Sequence, residues 1–216
     1  SSAASDVYKR QLTALRMLEG FVSLKPGDWI VQNAANSGVG RCIIQLARQM
    51  GVRTVNFVRR PDELREELTA LGADLVVGEN DEDVVKSTLA LLDGKRPVLA
   101  SNAVGGESAL RLMDMLAPGG SMVTYGAMSR KSIKVPNGFL IFKGIRLEGL
   151  WVTQWLKHAP AQDIAAAYDK LARLMAEGSL VQAVDTVFPL SEVRRAVEKA
   201  QEEFRNGKIV LKMNEA

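Results

Sequence analysis

The sequence predicts an α/β protein: a doubly wound parallel sheet of six strands in the order 3-2-1-4-5-6, with a C-terminal segment set apart from it. Three observations lead there. From Pro26-Gly27 onward short β-type runs alternate with helical patterns, the series opens on a strand, a glycine turn and a helix, and the alternation breaks near residue 180. Strand then helix, repeated, calls for parallel strands joined by right-handed crossovers.

Residues 1–11 are small and polar without periodicity, and are expected to be disordered or a scar joined to a chain that begins mid-domain; helical text starts at Leu12. The strands are expected at Asp28–Asn33, Arg53–Val58, Asp74–Val77, Pro97–Asn102, Ser121–Tyr125 and Ile145–Trp151. The clearest helix runs from Val39 to Met50, where Val39, Cys42, Ile43, Leu46, Ala47 and Met50 make one apolar stripe, Arg41, Arg48 and Gln49 lie opposite, and Gly51 ends it. Leu64, Leu68 and Leu71 mark a second helix stopped by Gly72. Val84, Val85, Leu89 and Leu92 mark a third stopped by Gly94, and Leu112, Met113 and Leu116 a fourth stopped by Pro118-Gly119-Gly120. Residues 12–180 form this domain. Beyond a helix at Asp163–Glu177, closed by Gly178, come a strand Ala183–Phe188, a helix Glu192–Phe204 and a strand Lys208–Met213, assigned with residues 181–216 to a second, incomplete unit.

Composition narrows the function. Of 216 residues 47% are hydrophobic and 25% charged, the balance of a cored globular protein. Lys plus Arg number 28 against 25 Asp plus Glu, and the scattered basic residues make no phosphate-tracking surface, so a nucleic-acid partner is not expected. One Cys and one His rule out an all-Cys/His metal site within these residues. No apolar run is long enough to span a bilayer.

The chemistry gathers at strand ends. Asn33-Ala34-Ala35-Asn36-Ser37-Gly38-Val39-Gly40 joins the first strand to the first helix of the alternating series. Backbone N–H groups at a helix N-terminus, approached through small residues, hold a diphosphate. Ala35 and Asn36 stand where a glycine fingerprint would have glycines, so simple chain reversal is the competing reading. The second strand ends in Arg59-Arg60, about 20 residues further on, where an acidic residue would bind a free ribose 2′-OH. A guanidinium there suits a 2′-phosphate instead, which points to NADPH, against the plainer reading of two solvated charges. Tyr125-Gly126-Ala127-Met128 and Leu150-Trp151-Val152-Thr153-Gln154-Trp155 also end strands; the first reads as a ligand loop or an ordinary turn, the second as a ligand wall or an aromatic core or interface cluster. Cys42 reads as core and His158 as a solvated residue in a polar loop.

These segments, together with Val58-Arg59-Arg60-Pro61, Asn102-Ala103-Val104-Gly105-Gly106 and Val123-Thr124 ahead of Tyr125, resemble the mitochondrial trans-2-enoyl-CoA/ACP reductases. That family lies in the zinc-free, quinone-oxidoreductase-like branch of the medium-chain dehydrogenase/reductase superfamily, and the likeness runs from about Leu12 to Met213. The resemblance implies a Rossmann-type NADPH domain plus a remnant of a GroES-like catalytic domain. It implies reduction of the 2,3 double bond of an enoyl-CoA or enoyl-ACP in mitochondrial fatty acid synthesis. It places the cofactor on Asn36, Ser37, Gly38 and Val39, on Arg59 and Arg60, on Tyr125, Gly126, Ala127 and Met128, on Leu150, Trp151 and Val152, and on Lys208. The family's arginine segment has one residue more between its arginines, which leaves open which of Arg59 and Arg60 takes the phosphate. The family's proton donor is a tyrosine of the missing domain, a role that Tyr8, Tyr125 and Tyr168 do not inherit, and its subunits pair through the sixth-strand edge as a homodimer. A quinone reductase of the same branch and a non-catalytic NADPH-binding module are the alternatives.

Overall fold

The computed structural model describes residues 2–182, 184–201 and 207–213. Strands β1 (Trp29–Gln32), β2 (Arg53–Val58), β3 (Leu75–Gly78), β4 (Leu99–Asn102), β5 (Ser121–Thr124) and β6 (Arg146–Gly149) pair in parallel in the order β3-β2-β1-β4-β5-β6. The expected order is therefore observed. Strand ends differ from the expected ones by one or two residues, because Asp28, Pro97 and Tyr125 lead into or out of the ladder rather than pairing in it.

The sheet is covered on both faces. Helices α1 (Ser2–Glu19), α2 (Gly38–Gln49) and α8 (Ala161–Ala176) bury Leu15, Leu18, Ile43, Leu46 and Leu171 against Ile30, Leu99 and Val123. Helices α4 (Val84–Ala90) and α5 (Gly106–Met115) bury Val84, Leu112 and Met113 against Trp29, Val31, Ala100 and Met122 on the other face. Successive residues of β1 thus serve opposite layers, as the period-two pleat requires. Helix α3 (Pro61–Leu71) closes the β2–β3 crossover with Leu68 against Val58 and Val76, and ends on Gly72 in the left-handed region at φ 111°.

Three expectations need correction. Helical structure does not wait for Leu12: α1 begins at Ser2, and Gln11 is buried in the packed part of that helix. Arg41, expected on the outer face of α2, is buried because α3 lies over it and supplies the Glu67 carboxylate. The sixth strand ends at Gly149 rather than Trp151, and an unanticipated helix follows it: α7 (Val152–His158) turns Val152, Trp155 and Leu156 onto the α1 side of the core and leaves His158 exposed at its end. A short helix α6 (Asn137–Ile141) precedes β6. The C-terminal unit pairs β7 (Val184–Pro189) with β8 (Lys208–Lys212) in parallel, separate from the large sheet, with α9 (Val193–Gln201) between them. Ala183 and residues 202–206 of the expected strand and helix lie outside the described residues.

Candidate cofactor site

Parallel strands point all their C-terminal ends at one edge of the sheet, and the order changes direction between β1 and β4. Loops leaving these two strands in opposite directions open a crevice, where ligands of such sheets bind. Asn33 and Asn102, the residues just after β1 and at the end of β4, bridge it. Asn33 Nδ2 donates to Asn102 Oδ1 at 2.9 Å and to Ser108 Oγ at 2.7 Å, and Asn33 Oδ1 accepts from the Ala103 N–H at 2.7 Å. Asn102 Oδ1 also accepts from the Val104 and Gly105 N–H groups, while its Nδ2 donates to Thr124 Oγ1 at 3.1 Å. One buried network therefore sets the β1, β4 and β5 loops relative to one another.

The turn after β1 is shaped for close approach. Ala34 takes a left-handed backbone at φ 47°. Ser37 caps α2 by accepting from the Gly40 N–H at 3.1 Å. Gly40 packs so tightly under the turn that a Cβ there would stand 2.5 Å from the Ala35 carbonyl oxygen. From α2, Arg41 Nε donates to the Asn36 carbonyl at 2.9 Å while its guanidinium is held by Glu67 of α3. The N-terminus of α2 thus faces the crevice with its turn pinned from below, which fits a bound diphosphate.

A cleft of about 640 Å³ runs from this turn across the ends of β2, β3 and β4. Of the residues singled out in the sequence, Asn36, Ser37, Arg59 and Met128 line it. Arg60 does not: it precedes α3 and pairs with Glu63 at 2.8 Å along that helix. Glu79, Arg111 and Lys131 also line the cleft, and the sequence gives no hint of them. They reach it through the β3 end, the α5 crossover and the loop after β5, which is a tertiary coincidence rather than a motif.

The remaining singled-out segments follow β5 and β6, and of them only Met128 lines this cleft. Tyr125 N–H donates to the Asn102 carbonyl and Leu150 N–H to the Thr124 carbonyl, so the two segments stand side by side. Gly126 approaches Ala103 closely, and Met128 and Trp151 are exposed. The Tyr125 ring joins the core with Leu150 and Val152, leaving its hydroxyl buried without a hydrogen-bond partner. Burial pushes this phenol up to about 12, with the nearby Ser37 side chain acting in the opposite direction. Burial likewise pushes the Cys42 thiol up to about 12, consistent with a core role. Lys208 starts β8, and its side chain lies outside the described residues.

Residues 38–173 match the family model described as zinc-binding dehydrogenase. The chain is 44% identical over 202 residues to the mitochondrial enoyl-[acyl-carrier-protein] reductase of Arabidopsis thaliana, covering 91% of this chain and 53% of that protein. It is similar to the mitochondrial 2-enoyl thioester reductase Etr1p/Etr2p heterodimer from Candida tropicalis, with a TM-score of 0.86, 27% identity, and coverage of 96% of this chain and 60% of that one. It also matches the Etr1p/NADP/crotonyl-CoA complex at a TM-score of 0.83 and 27% identity, over 96% of this chain and 60% of that one. The chain spans little more than half the length of curated relatives it matches. A zinc ion does not fit the residues present: among the described residues no group of three or more His, Cys, Asp or Glu could hold a metal ion.

Proposed function

The chain belongs to the zinc-binding dehydrogenase family, and we propose that it is the cofactor-binding part of an NADPH-dependent 2-enoyl thioester reductase. The observation that carries this reading is the placement of the α2 N-terminus and Arg59 on one cleft, in a chain similar to mitochondrial enoyl reductases and to a structure described with NADP and crotonyl-CoA. Gly38 and Val39 offer backbone N–H groups to the diphosphate, while the Ser37 N–H is spent on the Ala34 carbonyl within the turn. Arg59 rather than Arg60 takes the 2′-phosphate, since Arg60 faces α3. Tyr125, Gly126, Ala127 and Met128, with Leu150, Trp151 and Val152, wall the nicotinamide in this reading.

When bound, the dinucleotide supplies the hydride for the 2,3 double bond of an enoyl-CoA or enoyl-ACP. This chain's part is to orient the ring and exclude water from one side. Tyr125 is not the proton donor in this reading, because its hydroxyl is buried and its acidity suppressed. The donor and the opposite face of the substrate cleft belong to the remainder of a longer protein, to which β7, α9 and β8 dock as part of a GroES-like domain.

The intact enzyme works in mitochondria, as the names of its relatives suggest. It pairs through the β6 edge, where all four strand residues, Leu147 among them, are exposed beside Ile141, Phe142 and Trp151. No helix among the described residues is long and apolar enough to cross a membrane.

Two assays test the reading. Titrating NADPH and NADH against the chain should show clear preference for NADPH, and equal affinities would overturn it. The full-length gene product should oxidise NADPH with crotonyl-CoA; turnover with a quinone alone would favour the quinone-reductase alternative.

A further inference from the structure

One polar group in the cleft is used by nothing described so far. Glu79 follows β3 and is fixed beside the end of β2 by its own N–H, which donates to the Val58 carbonyl at 2.8 Å. The residue lines the cleft yet is only 7% exposed. Its Oε1 is buried with no hydrogen-bond partner, and the nearest cation, Arg111 Nη1, stands 3.9 Å away, outside hydrogen-bond range. A carboxylate oxygen withdrawn from water and left unfilled is costly, so a site that keeps one is built to receive a donor.

The strand order says which donor. On the reading that NADPH occupies the cleft, the diphosphate lies over the turn after β1 and the 2′-phosphate at Arg59 after β2. The base on that ribose extends away from the diphosphate, toward the next strand end outward, where Glu79 and Asn80 line the cleft with Arg111 opposite. We propose that Glu79 reads the purine: its carboxylate accepts a hydrogen bond from the exocyclic 6-amino group of adenine, and so selects adenine over 6-oxo purines. The chemistry is one-sided. An ionised carboxylate only accepts, adenine's amino group only donates, and the 6-oxo group of hypoxanthine would set a second acceptor against it. Sites that bond a donor reject the analogue lacking it far more strongly than apolar pockets reject a change of shape.

The test compares NADPH with its deamino analogue, reduced nicotinamide hypoxanthine dinucleotide phosphate, by equilibrium titration against the chain and its variants. The wild type should bind the deamino analogue about tenfold to a hundredfold more weakly. Glu79→Gln should bring the two to within about threefold, because a carboxamide offers an acceptor to one base and a donor to the other. Arg59→Ala should weaken both and leave their ratio unchanged. Equal wild-type affinities for the two dinucleotides would overturn the proposal while leaving the cofactor reading intact. So would a ratio that survives Glu79→Gln with only a loss of stability, which would mark Glu79 as a structural partner of Arg111. Should Glu79→Gln fail to fold, the wild-type ratio alone decides. No binding of NADPH at all would overturn the cofactor reading and this inference with it.

Discussion

The two sides of the six-stranded sheet are finished to different degrees. Every residue of β1 and β4 is buried, whereas every residue of β6 is exposed. Around β1, β2 and β4 the loops are tied by the Asn33–Asn102 network and by Arg41 under the turn. Around β6 large apolar side chains stand open, Phe142 at 87% exposure and Trp151 at 64%. The C-terminal unit is open in the same way, with Val184, Val187 and Val197 about half exposed. If the proposed cofactor reading holds, the residues that would take the adenosine phosphates are braced within this chain, whereas those that would face the nicotinamide lie next to exposed apolar surface.

The sharpest way to break the finished side is Gly40→Ala. Its Cβ would meet backbone atoms of Ala34 and Ala35 at 2.5 to 2.8 Å, which cannot swing aside as a side chain could. The turn must open, NADPH binding should be lost, and thermal unfolding should record a destabilisation of about 3 kcal/mol or more, the upper range for overpacking. Asn102→Ala comes next, since it leaves the Val104 and Gly105 N–H groups and Asn33 Nδ2 short of an acceptor. A loss on the order of 3 kcal/mol is expected by chemical denaturation, and a variant that melts like the wild type would remove the network from the account.

Arg59→Ala is aimed at the ligand. NADPH affinity should fall by about 1.5 to 3 kcal/mol while NADH affinity stays put, and Arg60→Ala should move neither by more than about threefold. On the unfinished side, Phe142→Glu should disrupt self-association of the intact enzyme in sedimentation without changing NADPH affinity. Tyr125→Phe has the smallest effect. Removing an orphaned hydroxyl should cost nothing or add up to about 1 kcal/mol. Because the folded phenol ionises near 12 against an ordinary value near 10, the wild-type stability tied to it is complete below pH 10 and declines as pH rises toward 12. Spectrophotometric titration should lose its latest-ionising tyrosine in the variant.

Legibility in the sequence followed the same division. Strand order and the glycine turn could be read because alternation and helix-stripe periodicity are local patterns, and β1 to β5 lie within a residue or two of where those patterns put them. Helix α7 escaped because Val152, Thr153 and Trp155 look like strand residues, and Trp151 before it offers no side-chain cap to announce a helix. Arg59 and Arg60 are neighbours in the chain, yet Arg59 lines the cleft while Arg60 pairs with Glu63 of α3. Glu79 and Arg111 are 32 positions apart and meet only because β3 and α5 converge on one cleft. No spacing in the chain encodes that.

On the proposed cofactor reading, the adenosine half of the site is formed by residues of this chain that line one cleft, and the nicotinamide half lies largely beyond it. Isothermal titration of adenosine 2′,5′-bisphosphate beside NADPH puts the two halves on one scale. Affinities within about tenfold are expected, because the nicotinamide wall adds little without its covering surface. NADPH binding a thousandfold tighter than the bisphosphate, or about 4 kcal/mol, would mean the nicotinamide wall is already whole, and would contradict that expectation.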